Sequence, residues 1–158
     1  MIFITVGTQL PFDRLIYKLD DFFKDNQEEV FAQIGPSEII PKNMKYADFI
    51  KPSDIDDFYS KTELVIAHAG MGSILTALKY KKPVLVVPRR ASLGEHRNEH
   101  QLATANWVKE LPGVFVAMDE HEMIDILKRK NQLLSGTKIS PHAEDRLINY
   151  INSFINEN

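Results

Sequence analysis

The sequence predicts an α/β fold in which a parallel sheet is wound on both sides by helices, and three observations predict it. Short apolar runs alternate along the chain with stretches of helical periodicity. The runs, among them "IFITV", "LVIAH" and "PVLVVP", are β-branched and lack polar alternation, as strands buried on both faces require. Gly, Pro, Asp and Ser punctuate most changes of period. At 158 residues the chain is expected to form one domain over 1–158, long enough to bury its own core.

The elements follow in order. "IFITV" is the first strand. Pro11 opens a helix in which Phe12, Leu15, Ile16, Leu19, Phe22 and Phe23 share one face. "EVFAQIG" is the second strand, closed by Gly35-Pro36, and a loop from Ser37 to Lys45 leaves room for a short strand at Ile39–Ile40. "YADFI" is the third strand, after which Ser53 or Asp54 caps a short helix running to about Lys61. "ELVIAH" is the fourth strand, "GSILTALKY" its helix and "PVLVVP" the fifth strand. The polar loop "RRASLGEHRNEH" leads into a helix carrying Leu102, Ala103, Ala105, Trp107 and Val108. "GVFVAM" is the sixth strand, Asp119 caps the next helix, and Ser140-Pro141 opens the last. That final helix, about 141–156, sets Leu147, Ile148, Ile151, Phe154 and Ile155 in one apolar stripe.

Composition narrows the function. The chain has no cysteine, which excludes disulfides and thiolate metal sites and fits a reducing cytosol. No run of about 18 apolar residues occurs, so no transmembrane helix is expected. "MIFITV" lacks the basic region that would make it a signal peptide. A formal charge of −3 argues against general nucleic-acid binding. Lys79, Lys81, Lys82, Arg89, Arg90 and Arg97 nevertheless read as a local positive region, opposed by Glu95 and suited to a small anion.

Two constellations carry chemistry. In "VIAHAGMGSILTAL" a strand ends at His68, and Gly70 and Gly72 introduce a helix. Glycine allows close approach of a ligand or a positive φ, and the first helical N–H groups suit a diphosphate. Ser73 adds a hydroxyl that donates to the ligand or caps the helix. The turn is neither a Rossmann fingerprint nor a Walker loop, and alone it fits a phosphate cradle and a tight connection equally. The second constellation, "GEHRNEHQ", sets Glu95, His96, Arg97, Asn98, Glu99, His100 and Gln101 beyond the fifth strand at the same sheet edge. Such a density of donors and acceptors matches sugar hydroxyls. His96 and His100 stand at i, i+4, but "HRNEH" lacks the His-Glu-x-x-His order, and no metal is expected. Asp54-Ile55-Asp56 reads as helix capping rather than as a metal-binding Asp-x-Asp.

"FITVGTQLPFDRLI", "VIAHAGMGSILTAL" and "VVPRRASLGEHRNEHQ" resemble the PssE-like subunits of bacterial exopolysaccharide glycosyltransferases. They are similar also to the catalytic subunit of the eukaryotic transferase that adds the second N-acetylglucosamine to dolichol-linked oligosaccharide. Both resemble the C-terminal half of glycosyltransferase family 28, and the likeness runs from Met1 to about Val116. It implies a Rossmann-like, donor-binding half of a GT-B enzyme that takes a UDP-sugar as donor substrate and needs no cofactor or metal. Residue by residue, it sets Gly7 and Thr8 at the cleft, and Gly70, Met71, Gly72 and Ser73 around the diphosphate. Glu95, Asn98, His100 and Gln101 fall at the sugar end. Catalytic roles fall to His68, Glu95 and His100, and Arg89 joins the substrate-binding set.

One position departs from the pattern. Thr76 stands where the murein and eukaryotic enzymes carry a ribose-binding glutamate, which points to the exopolysaccharide subgroup. A whole GT-B enzyme needs roughly twice this length. The resemblance therefore implies a membrane-anchored, PssD-like partner that supplies the catalytic base and holds a lipid-linked, undecaprenyl-type acceptor. That partner would keep this cytoplasmic chain at the inner face of the cell membrane. The last helix would pack on its own sheet or reach the partner, and the lone half is open to self-association. The alternative is a nucleotide-sugar-binding module without chemistry. A dinucleotide-dependent enzyme is disfavoured by the lack of Gly-x-Gly-x-x-Gly after the first strand.

Overall fold

The structure, a computed structural model, describes residues 1–134 together with Asp145 and Asn149. Six strands form one parallel sheet: β1 (Ile2–Thr5), β2 (Val30–Gln33), β3 (Lys45–Ala47), β4 (Leu64–His68), β5 (Val84–Val87) and β6 (Val114–Val116). Their spatial order is β3-β2-β1-β4-β5-β6, the doubly wound Rossmann order. The missing polar alternation has a direct cause. Ile2 and Ile4 pack on one face with α1 (Asp13–Phe23) and α5 (Glu120–Lys128). Phe3, Val65 and Ala67 pack on the other with α2 (Ile55–Lys61), α3 (Met71–Lys79) and α4 (His100–Val108). A short α6 (Lys130–Leu134) follows α5. No helix among the described residues is long and apolar enough to cross a membrane.

Four expectations need correction. Ile39–Ile40 forms no strand, because Asp20 captures the next backbone: its Oδ1 accepts from the Lys42 and Asn43 amides at 3.0 and 2.7 Å. The first helix begins at Asp13 rather than Pro11, since the Leu10 and Pro11 carbonyls are held by Arg89. The third expectation concerned the cap of α2. Neither Ser53 nor Asp54 places a side chain on that helix, which follows a 3₁₀ turn at Pro52–Asp54. A cap needs extended backbone, and Asp54 (φ −100°, ψ −7°) already has helical dihedrals. Asp119 (φ −146°, ψ 176°) is extended and, as expected, accepts from the Glu122 amide at 2.9 Å. Asp56 instead accepts from the Tyr80 hydroxyl.

The fourth correction is the positive region. Lys79, Lys81 and Lys82 lie where α3 turns back into β5, at the amino edge of the sheet. Arg89, Arg90 and Arg97 follow β5 at the opposite edge, and Arg89 is buried, so the six cations share no surface. The Ser140-Pro141 helix start and the apolar stripe from Leu147 to Ile155 lie outside the described residues.

Candidate functional site

The strand order reverses between β1 and β4, and in open sheets the crevice at such a switch point is where ligands sit. A cleft of about 630 Å³ opens there. Phe3, Thr5 and Gln33 reach it from the sheet, and Ile50, Pro52, Ile55 and Tyr59 form one wall. The start of α3, with Gly72, Ser73 and Thr76, forms the other. Gly7, Thr8, His68, Gly70, Arg89 and Gln101 complete it, together with His96.

His68 is the hub. Its Nδ1 accepts from Arg89 Nη1 at 2.8 Å and from Gln101 Nε2 at 3.1 Å. A guanidinium has only donors, so Nδ1 carries the lone pair, and the neutral ring's proton sits on Nε2, 3.2 Å from Ser73 Oγ. Burial, then the charges of Arg89 and His96, push the His68 pKa down to about 3. His68 is therefore a fixed hydrogen-bond donor and not a proton acceptor at neutral pH. Between about pH 6.5 and 3 the unfolded chain binds a proton here that the folded chain does not. Stability should then fall with decreasing pH across that window, by up to about 1.4 kcal/mol per pH unit from this residue. Chemical denaturation of wild type and His68→Gln at pH 7, 6 and 5 should show that slope reduced in the variant.

Arg89, 2% exposed, is what fixes His68. Its Nη2 donates to the Val6 and Leu10 carbonyls, both at 2.6 Å, and Nε to Pro11 at 3.3 Å. Burial lowers its pKa to about 10, against the opposing pull of Glu95, so it stays charged at neutral pH. Gln101, also buried, accepts from the Arg89 amide at 2.9 Å while donating to His68.

The glycines divide by cause. A Cβ on Gly70 would lie 2.1 Å from His68 Cε1, and one on Gly7 (φ +77°) would lie 2.8 Å from His68 Nε2. These two glycines make room for the imidazole. Gly70 has φ −88°, so the left-handed freedom entertained for the turn is not used there. Gly72 has nothing within 4 Å of its would-be Cβ. Among the described residues no side chain caps α3, and its first turn at Gly72 borders open space.

The rest of the expected set divides. Thr76 lines the cleft, but its hydroxyl donates to the Gly72 carbonyl at 2.7 Å. Met71 packs against the core. Glu95 is turned away from the cleft: it takes two hydrogen bonds from Arg14, each at 2.9 Å, and a third from the Arg90 amide at 3.0 Å. Its carboxylate thus pins the loop to α1. Asn98 accepts from the His100 amide at 3.0 Å, and in this chain neither residue lines the cleft. His96, counted in the sequence among the sugar-matching groups and weighed as a metal ligand but left out of the site set, does line it. Gln33 and Tyr59 were not singled out at all. The signal for Gln33 was an amide inside an otherwise apolar strand.

The model of the glycosyltransferase family 28 C-terminal domain matches residues 1–122. The human UDP-N-acetylglucosamine transferase subunit ALG13 is 32% identical over 110 residues, covering 62% of this chain and 10% of that protein. The subunit of the same name from Debaryomyces hansenii is 40% identical over 47 residues, 30% of this chain and 22% of that one. The chain thus spans less than a quarter of the length of either relative. Among solved structures, MurG of Acinetobacter baumannii superposes with a TM-score of 0.65 at 17% identity, over 97% of this chain and 49% of that chain. The solution structure of ALG13 gives 0.60 at 20% identity, over 89% of this chain and 88% of that chain. At these identities the superpositions establish a shared fold.

Proposed function

Because the chain belongs to the glycosyltransferase family 28 C-terminal domain family, we propose that it is the donor-binding and catalytic subunit of a two-component hexosyltransferase. The donor is a UDP-sugar and the acceptor a lipid-linked, undecaprenyl-type saccharide of exopolysaccharide or capsule synthesis. Thr76, in place of the glutamate of the related murein and eukaryotic enzymes, supports the exopolysaccharide subgroup with its PssE-like chains. The observation that carries the reading is the open start of α3 meeting the His68 donor inside the switch-point cleft.

In this reading the diphosphate rests on the Gly72–Ser73 end of α3, within reach of Ser73 and the His68 Nε2–H. The buried charge of Arg89 stands behind the imidazole and favours the anionic leaving group. The apolar wall of Ile50, Pro52, Ile55 and Tyr59 suits the flat face of the base. The acceptor hydroxyl oxygen bonds to the anomeric carbon with inversion as the bond from that carbon to the diphosphate oxygen breaks. UDP leaves with the electron pair. His68 and Glu95 are both committed within the chain, so the acceptor's proton goes to a base on a membrane-anchored, PssD-like partner, which also holds the lipid. The helix start and Arg89 take the charge role that a metal ion fills elsewhere.

The test is calorimetric titration with UDP, then UDP-glucose, UDP-galactose, UDP-glucuronate and UDP-N-acetylglucosamine, with and without EDTA. UDP binding unchanged by EDTA is expected, with one sugar preferred. Gly72→Val should weaken UDP at least tenfold with an unchanged melting temperature, since the added side chain enters only the cleft. Unaltered affinity would take the turn out of the site. The commitment of His68 and Glu95 also favours a second reading, a binding module without chemistry. It predicts UDP binding but no turnover when partner and acceptor are supplied.

A further inference from the structure

Gln33 ends β2 beside Thr5 of β1, and the two residues are only 8% and 5% exposed. The Gln33 carboxamide makes no hydrogen bond to a described residue, although a buried amide without a partner is unfavourable. Among the described residues no fully enclosed side-chain nitrogen or oxygen lacks a partner, so this amide is reached from the cleft it lines. Thr5 Oγ1 accepts from the Gly7 amide at 3.2 Å, which leaves its O–H also without an acceptor among the described residues. Both groups come from the sheet and line the same cleft as the apolar wall of Ile50, Pro52 and Ile55. The sheet side of the cleft therefore presents an acceptor and a donor that no described residue uses, in a cleft with an apolar wall suited to a flat ring.

We infer that Gln33 reads the imide edge of the donor's pyrimidine base. Oε1 accepts from the ring N3–H, and Nε2 donates to the neighbouring carbonyl. The complementarity is that of any amide with an imide, a donor–acceptor pair meeting its inverse. Placing this on the nucleoside rests on the donor-site reading above. It also supplies a recognition group on the nucleoside side, where the Thr76 hydroxyl is already committed to its own helix.

Three ligands separate the possibilities: UDP, N3-methyl-UDP and inorganic pyrophosphate, each titrated calorimetrically into wild type and Gln33→Met. Methionine nearly matches glutamine in size, and thermal unfolding checks that the variant folds. The inference expects Gln33→Met to bind UDP at least tenfold more weakly and pyrophosphate equally well. It also expects N3-methylation to weaken binding to wild type but to make no further difference to the variant. Wild type that binds N3-methyl-UDP as tightly as UDP overturns the inference without any substitution. So does a variant that binds UDP normally, or one that loses UDP and pyrophosphate in equal measure. Each of those results leaves the diphosphate site standing. Wild type that binds neither UDP nor pyrophosphate removes the donor-site reading, and the inference falls with it.

Discussion

Arg89→Leu is expected to lower stability by about 3 kcal/mol or more and to abolish UDP binding. The side chain fills four acceptors at once: the carbonyls of Val6, Leu10 and Pro11 and the Nδ1 of His68. Leucine replaces the volume and none of the donors. A buried carbonyl left without a partner costs about 1–3 kcal/mol, and Val6 and Leu10 each lose a 2.6 Å bond. At about 2–4 °C per kcal/mol for a chain of this size, the melting temperature should drop on the order of 10 °C. The donor site goes with it, because the 6–10 segment lines the cleft and the His68 ring loses its anchor. Arg89→Lys keeps the charge but offers a point donor in place of a planar fork, and should recover only a minor part. Thermal unfolding and UDP titration of the two variants check this. A leucine variant that melts with wild type would show that the carbonyls find other partners.

Gly70→Ala should weaken UDP binding at least tenfold for a reason unrelated to backbone freedom. With φ −88° and ψ 131°, alanine fits the main chain at this position without strain. The obstacle is the imidazole of His68, whose Cε1 lies 2.1 Å from the added methyl. The ring must swing out, which breaks its contacts with Arg89, Gln101 and Ser73 together. Overpacking of this kind costs about 1–3 kcal/mol. The double variant His68→Ala/Gly70→Ala identifies the cause. With the ring removed, the alanine at 70 should cost almost nothing further, giving a coupling of about 1 kcal/mol or more in a double-mutant cycle. Additive losses would mean that Gly70 answers to something other than His68.

The sheet was legible in the sequence because its strands are buried on both faces, so hydrophobic runs alone locate them. Edges and capping geometry were harder to read. The Ile39–Ile40 segment is as apolar as a strand, but its fate is decided by an aspartate in a neighbouring helix. Asp54 and Asp119 look alike in sequence and differ only in backbone dihedrals. At the site, the glycine turn was found and half explained. Spacing cannot reveal that Gly70 serves a histidine two residues earlier, or that Gly7 serves the same ring from the loop after β1. Nor can spacing reveal that Glu95 is bonded by Arg14, which stands 81 positions away in the chain. Gln33 escaped notice because one amide in a short strand is unremarkable until nothing is found to bond it.

The Arg89 clamp also sets the order in which the molecule can be made. It joins residues 83 and 79 positions apart, far beyond the reach of any local nucleus. Closing such long loops is entropically expensive and slow, and must follow the pairing of β1 with β4 and of β4 with β5. On the ribosome, the segment from Gly7 to Pro11 therefore emerges before its anchor and waits for about half of these 158 residues to follow. A fragment that stops short of Arg89 can hold the glycine turn and still have no cleft.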